Sequence, residues 1–547
     1  MSQIDFAKAY RPPVLATHGM VTSAHPLASS AGLDILKQGG KAFDAAVAVA
    51  TTLNVVEPYM SGIGGVGILL AFNASKDEVK VLNYSGCAPI CATPDVFPGD
   101  NVVDGILSIM VPGSVQGWLK LHEEFGTMER KRLFASAIQY AGKGFPLTYF
   151  NHKMILNARD KLQKNSTAAS VFLPRNGYPP MPGQLLIQQD LANSLQLIAD
   201  EGMSAFYRGD IAKAIVAKHN KDKGLITTED LDEYEAIFED PIDIAYRGYS
   251  IFAPGPNSNA FQIFLTLKIL ERFNFSKSHL EDVRTFHIIA EAVKLATGAR
   301  IQYSGDPNFS HIPVDDLLLD SHVDSLIEYI KNDQVKNSPG ERWTPDFDEN
   351  QGVFRNAPPN TSSTTHFAVA DRWGNIVTVT QTIGDSFGSG VMVPDTGILM
   401  NNVASNFSTN PKCTTPNLIG PRKRPETCTM PIQVFNDGRF SMSVGTPGGW
   451  GILYTTIQLL MNVLDFDMNI QQAIEAPRFK CTEGKIVELE GRFSQNLRGS
   501  LKRLGYDTHI VGDWSLKLGG AQGIKRLNGD VLEGGADPRR DGYVYGW

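Results

Sequence analysis

Apolar residues recur every three to four positions over residues 26–37, 42–55, 114–125, 133–141, 190–199, 260–272 and 286–299. That period lays one face of a helix against a core. The first of these segments stops at Gly39-Gly40, and the second is rich enough in Ala and Val to predict a buried helix. Residues 68–72 and 79–84 predict short strands joined by a polar turn. Residues 246–253 predict one more strand, ending at Pro254-Gly255-Pro256.

Residues 332–363 break the pattern, being polar and rich in Pro, Asn and Asp, and predict a linker or mobile loop. Beyond them the period becomes that of strands. Residues 365–371 and 376–383 flank the turn Arg372-Trp373-Gly374-Asn375. Residues 432–435 and 440–444 flank Asn436-Asp437-Gly438, and 523–527 and 531–533 flank Asn528-Gly529-Asp530. These are hairpin signals, because such turn residues tolerate positive φ. Helices are expected again over 451–463, 470–475 and 497–504. A helix-rich first two thirds is thus joined by a loop to a strand-rich last third.

The 547 residues are 42% hydrophobic and 20% charged, enough to bury a sizeable core. The net charge of −8 gives no footprint for nucleic acid, which needs a basic face. The first 13 residues carry Asp5, Lys8 and Arg11 and no apolar stretch of the kind a secretory signal needs. The apolar run at 42–56 contains Asp44 and is too short to cross a bilayer. The five cysteines, Cys87, Cys91, Cys413, Cys428 and Cys481, are odd in number and show no C-x-x-C spacing. These features predict a cytoplasmic protein without membrane attachment, a disulfide framework or a cysteine zinc site.

Residues 361–366 read Thr-Ser-Ser-Thr-Thr-His at the start of a predicted strand. Such a hydroxyl run ordinarily makes local bonds to the backbone at a loop edge. It also permits sharper chemistry. If the peptide bond before Thr364 were cut, Thr364 would hold a free α-amine beside its own hydroxyl. An α-amine titrates near pH 8, so near neutrality part of it is uncharged and acts as a base. Nucleophile and base then reside in one residue.

Ordered motifs along nearly the whole chain carry a resemblance. They are residues 19–50; Gly62-Ile63-Gly64-Gly65-Val66-Gly67; Val111-Pro112-Gly113-Ser114-Val115-Gln116-Gly117; Tyr246-Arg247-Gly248-Tyr249; Glu475-Ala476-Pro477-Arg478-Phe479; and Ala536-Asp537-Pro538-Arg539. The most specific is the stretch from Thr364 to Asn402. Together they resemble the gamma-glutamyltranspeptidase family of N-terminal-nucleophile hydrolases. The resemblance implies an α+β fold, the four-layer αββα sandwich, with strands from both parts of the chain. It implies self-cleavage into a large subunit, residues 1–363, and a small one, residues 364–547. It implies Thr364 as nucleophile, Thr382 as the second threonine that orients it, and Gly448-Gly449 as the oxyanion hole. No metal or organic cofactor is required.

The departures from the family pattern point to the substrate. Where members that act on γ-glutamyl groups hold the α-carboxylate with an arginine, this chain has Ser85, which cannot make a bidentate charged pair. The family's asparagine after the second threonine is Gly384, and its glutamine and aspartate align with Val403 and Asn406. Its serine pair is Thr427-Cys428, and the lid segment between Phe407 and Pro421 is short. Each lost charged contact costs roughly 2–5 kcal/mol for the original ligand. The expectation is hydrolysis of another small-molecule amide through a threonine acyl-enzyme. The alternative is a gamma-glutamyltransferase or glutathione hydrolase with a rebuilt pocket.

Weaker motifs resolve to structure. Gly62-x-Gly64-x-x-Gly67 precedes a predicted strand rather than a helix, so it is read as a tight core turn and not a dinucleotide loop. Gly384-Asp385-Ser386-Phe387-Gly388 has the spacing of a nucleophile elbow, but strand-like residues follow and only His509 lies downstream. His122-Glu123-Glu124 lacks the second histidine of a zinc helix. His366 is expected to be packed rather than catalytic, on the argument that strand neighbours face opposite ways. Arg422-Lys423-Arg424 is read as a solvated run placed to attract an anionic substrate.

Overall fold

The computed structural model describes residues 9–99, 102–275, 280–330, 335, 363–481 and 484–547. The loop expected from about residue 332 therefore lies outside the described residues, except for Val335 and Ser363.

Fourteen of the described strands build two sheets. In chain order they are β1 Val14–Ala16, β2 Gly19–Ser23, β3 Val66–Asn73, β4 Glu78–Tyr84, β5 Ile237–Glu239, β6 Ile242–Tyr246, β7 Tyr249–Ala253, β8 Thr365–Asp371, β9 Ile376–Thr382, β10 Ile432–Asn436, β11 Arg439–Gly445, β12 Gln522–Arg526, β13 Leu532–Ala536 and β14 Tyr543–Gly546. The first sheet has the order β14-β2-β8-β9-β3-β4-β5 and the second β1-β13-β12-β11-β10-β7-β6, and every pairing is antiparallel. Both sheets mix strands from before and after residue 363.

The layering follows from which side chains alternate where. In β8, Phe367 and Val369 join a core with the helices α1 Pro26–Lys37, α2 Ala42–Val56, α3 Ser114–Phe125 and α4 Arg130–Lys143. The intervening Ala368 and Ala370 meet Phe435, Phe440 and Ile524 of the other sheet. The second sheet's outer face is covered by α5 Ala260–Glu271, α6 Val283–Tyr303 and α7 Ile452–Leu464. Helix, sheet, sheet, helix is the expected four-layer sandwich. With both faces covered, all seven residues of β8 and of β9 are buried.

One expectation is corrected, and three strands are added that the sequence pattern did not predict. Residues 246–253 form two strands, because Arg247 (φ 51°) and Gly248 (φ 83°) make a two-residue turn between β6 and β7. The edge strands β1 and β14, and β2 beside β14, carry no clear periodicity and hold their places through partners at the opposite end of the chain. None of the described helices is long and apolar enough to cross a membrane.

Candidate active site

Thr364 stands immediately before β8, and Thr382 ends β9. The register pairs Thr365 with Gln381, which sets positions 364 and 382 opposite each other at one end of the inter-sheet space. The Thr364 hydroxyl donates to Thr382 Oγ1 at 3.2 Å. Thr382 has a single hydroxyl proton, and its shortest acceptor is the Ser363 carbonyl at 2.6 Å. Thr382 Oγ1 in turn accepts the Gly384 N–H at 2.8 Å. Nucleophile candidate, orienting threonine and the carbonyl preceding Thr364 thus lie on one hydrogen-bonded path.

Two buried residues that sequence reasoning missed fix this backbone. Arg540 Nη1 donates to the Thr364 carbonyl at 2.8 Å, and Thr365 Oγ1 donates to Glu57 Oε2 at 2.9 Å. Burial pushes the Glu57 carboxyl up to about 7, against the opposing charge of Arg540. The available signals were a carboxylate closing an Ala/Val helix and a second arginine after Pro538-Arg539. Neither names a partner.

His366 is a packed residue, but the argument from opposite faces does not apply to it: positions 364 and 366 share a face. Its ring fills the space against Gly445, where a Cβ would overlap it, and Nδ1 pairs with Thr380 Oγ1 at 2.8 Å. Burial lowers its pKa from 6.5 to about 3, so it stays neutral. The unfolded chain takes up a proton near pH 6.5 that the native ring refuses until about pH 3. Its contribution to stability is therefore present above pH 6.5 and lost as pH falls through that window. At pH 5 the loss is roughly 2 kcal/mol. Urea midpoints between pH 7 and pH 4 are expected to fall less steeply in His366→Gln than in the wild type; equal slopes would refute this.

Gly448-Gly449 forms the turn from β11 into α7, at φ 147° and 54°. A Cβ on Gly449 would meet nothing within 4 Å, so the turn faces open space. It is buttressed from behind: the Gly520 N–H donates to Thr446 Oγ1 at 3.0 Å, and Ala521 N–H to Asp537 at 2.8 Å. Asp537 is buried between Arg478 (2.7 Å) and Arg539 (3.2 Å). The motifs that carry Arg478 and Arg539 therefore meet behind the glycine turn.

The other expected site residues fall into two places. Gly384 (φ 92°) belongs with Thr382, and a side chain there would collide with Asn402 Oδ1. Ser85, Asn406, Thr427 and Cys428 belong to a second cluster. Asn257 Nδ2 donates to Ser85 Oγ at 3.1 Å and to the Pro425 carbonyl at 2.5 Å. Asn417 Nδ2 donates to the Asn406 carbonyl at 2.6 Å and to Glu426 Oε1 at 3.1 Å. Thr427 donates to Thr429 Oγ1 at 2.8 Å. Burial pushes the Cys428 thiol up to about 12, which keeps it a neutral thiol rather than a thiolate nucleophile. Val403 is buried beside this cluster in a small core with Phe407 and Ile419.

The run Arg422-Lys423-Arg424 is not a solvated face. Only Arg422 is exposed, and it pairs with Glu229 and Glu233. Lys423 Nζ donates to the Pro416 and Leu418 carbonyls, and Arg424 Nη2 to the Glu235 carbonyl. Gly62 to Gly67 is a tight turn entering β3, as expected. Gly384 to Gly388 leads to the short strand Met392–Val393 rather than to a helix.

Comparison with known proteins matches residues 28–547 to the family model described as Gamma-glutamyltranspeptidase. The chain is 34% identical to a glutathione hydrolase proenzyme of Bacillus subtilis, covering 98% of this chain and 93% of that one. It is 35% identical to an acylase ACY 1 proenzyme of a Pseudomonas species, covering 97% and 94%. Its structure superposes on that of cephalosporin acylase from Bacillus halodurans with a TM-score of 0.90 and 33% identity, over 98% of this chain and 97% of that one.

Proposed function

This chain belongs to the gamma-glutamyltranspeptidase family, and on that footing we propose that it is a self-processing amidohydrolase, cut before Thr364 into residues 1–363 and 364–547. The observation that carries the reading is the path from Thr364 Oγ1 through Thr382 to the Ser363 carbonyl. In the intact chain Thr364 Oγ attacks the Ser363 carbonyl carbon while the Thr382 hydroxyl stabilises the charge that grows on its oxygen. The C–N bond breaks, the proton released from the attacking hydroxyl passes to the departing nitrogen to give the Thr364 amine, and residue 363 is left as an ester on Oγ. Water hydrolyses the ester, giving a carboxylate at Ser363 and a free N-terminal threonine. The two pieces stay associated because β8 remains paired between β2 and β9.

The mature threonine then acts on a substrate amide. Its amine takes the hydroxyl proton, Oγ attacks, the N–H groups of Gly448 and Gly449 receive the oxyanion, and the proton passes to the leaving amine. Water releases the acid. No step requires a metal or organic cofactor.

The substrate class follows from the second cluster. Ser85 is buried and bonded to Asn257, and puts no cation where γ-glutamyl enzymes need one. This favours another small-molecule amide, in keeping with the acylase relative. Glutathione hydrolysis or γ-glutamyl transfer is the second reading, favoured by the Bacillus subtilis relative. N-terminal sequencing of the purified protein is expected to find a second chain beginning TTHFAV. One full-length chain would overturn the proposal, and faster turnover of γ-glutamyl anilide than of other acyl anilides would favour the second reading.

A further inference from the structure

Arg300, in the last turn of α6, has a side chain only 15% exposed. A guanidinium carries five N–H donors. One, on Nη1, reaches Glu426 Oε2 at a long 3.4 Å, while Nε is buried and meets no acceptor. Glu426 is satisfied without it, since its two oxygens accept from Asn259 Nδ2 at 3.0 Å and Asn417 Nδ2 at 3.1 Å. A largely buried cation with a buried donor unfilled and only one long ion-pair contact is costly unless something else supplies an acceptor.

The place of this side chain indicates what that is. Its Cζ lies over the indole of Trp450, 4.4 Å from the ring centre, and Trp450 is the residue directly after Gly449. Glu426 and Cys428 also adjoin it, and the Cys428 thiol feels the Arg300 charge. The guanidinium thus touches both the residue that follows the glycine turn and the 426–428 segment. The cation–π contact with the indole restrains the guanidinium, which limits the ordering cost of binding an anion with its free donors. The neighbouring Arg422 and Lys423 are bound to other groups, as described above.

We propose that Arg300, backed by Trp450, is the anion subsite of the active site and binds a carboxylate carried by the substrate. This rests on reading Gly448-Gly449 as the oxyanion turn. It narrows the substrate to amides that bear a carboxylate, such as monoamides of short dicarboxylic acids.

The test is calorimetric binding of three- to six-carbon dicarboxylates, and of the matching uncharged diamides, to the whole protein as wild type, Arg300→Gln, Arg300→Lys and Arg424→Gln. A dicarboxylate is expected to bind the wild type at least 10-fold more tightly than its diamide. Arg300→Gln should erase that preference, Arg300→Lys should keep part of it, and Arg424→Gln should leave it intact. A wild type that does not distinguish acid from diamide, an Arg300→Gln protein that still does, or loss in Arg424→Gln instead would overturn the subsite. Thermal midpoints and the extent of self-cleavage, measured alongside, separate misfolding from lost recognition. If Arg300→Gln misfolds, Arg300→Lys decides, and wild-type affinity there would overturn the proposal. Normal cleavage with Arg300-independent binding would sink the subsite alone. Arg300-dependent binding in a chain that is never cleaved would sink the enzymatic reading and keep the anion site.

Discussion

Thr364→Ala is expected to remain a single full-length chain on a denaturing gel and to show no turnover of any amide. The variant removes the atom that attacks the Ser363 carbonyl, and with it the only route to a free α-amine at this position. Nucleophile and base disappear together. Removing the nucleophile of a comparable hydrolase costs on the order of 10⁶-fold in kcat. The fold should survive, because Thr364 lies before β8 and its hydroxyl bonds to Thr382 at the rim of the sheet rather than in the core. Thr364→Ser keeps the hydroxyl and should still be cleaved, more slowly, since only the methyl group that restricts χ1 is lost. Intact mass separates the outcomes. A Thr364→Ala protein that is cut at the same bond would show that another group does the chemistry.

Thr382→Val is expected to slow self-cleavage and turnover by about 10²–10³-fold, the usual effect of deleting one donor to a developing oxyanion. The shape of the side chain is kept. What goes is the proton directed at the Ser363 carbonyl at 2.6 Å and the acceptor for the Thr364 hydroxyl and the Gly384 N–H. Thr382→Ser should restore most of the rate. The measurement is the time course of chain cleavage after refolding, followed by steady-state kinetics on the cleaved fraction. An unchanged kcat in Thr382→Val would remove this residue from the mechanism and leave it a packing role.

Much of the architecture was legible locally. The helix over 42–56 and the hairpins at 372–375, 436–438 and 528–530 were readable because period and turn chemistry are properties of neighbouring residues. Thr364, Thr382 and Gly448-Gly449 were legible as motifs, since each sits in a stretch with its own pattern. The hairpin at Arg247-Gly248 was not, because an arginine at positive φ carries no mark in the sequence. The strands β1, β2 and β14 were hidden for another reason: each is short, and pairing between the two chain ends holds it in place.

By itself the sequence determined the order of elements, the family pattern, and the hydroxyl residue proposed as the nucleophile, because those depend on patterns a few residues long. Only the tertiary structure decided that Arg540 grips the Thr364 carbonyl, that Glu57 holds Thr365, and that Arg300 lies against Trp450 beside the glycine turn. Those partners are from 150 to more than 300 positions apart along the chain, and burial, not sequence proximity, brings their charges to bear on one site.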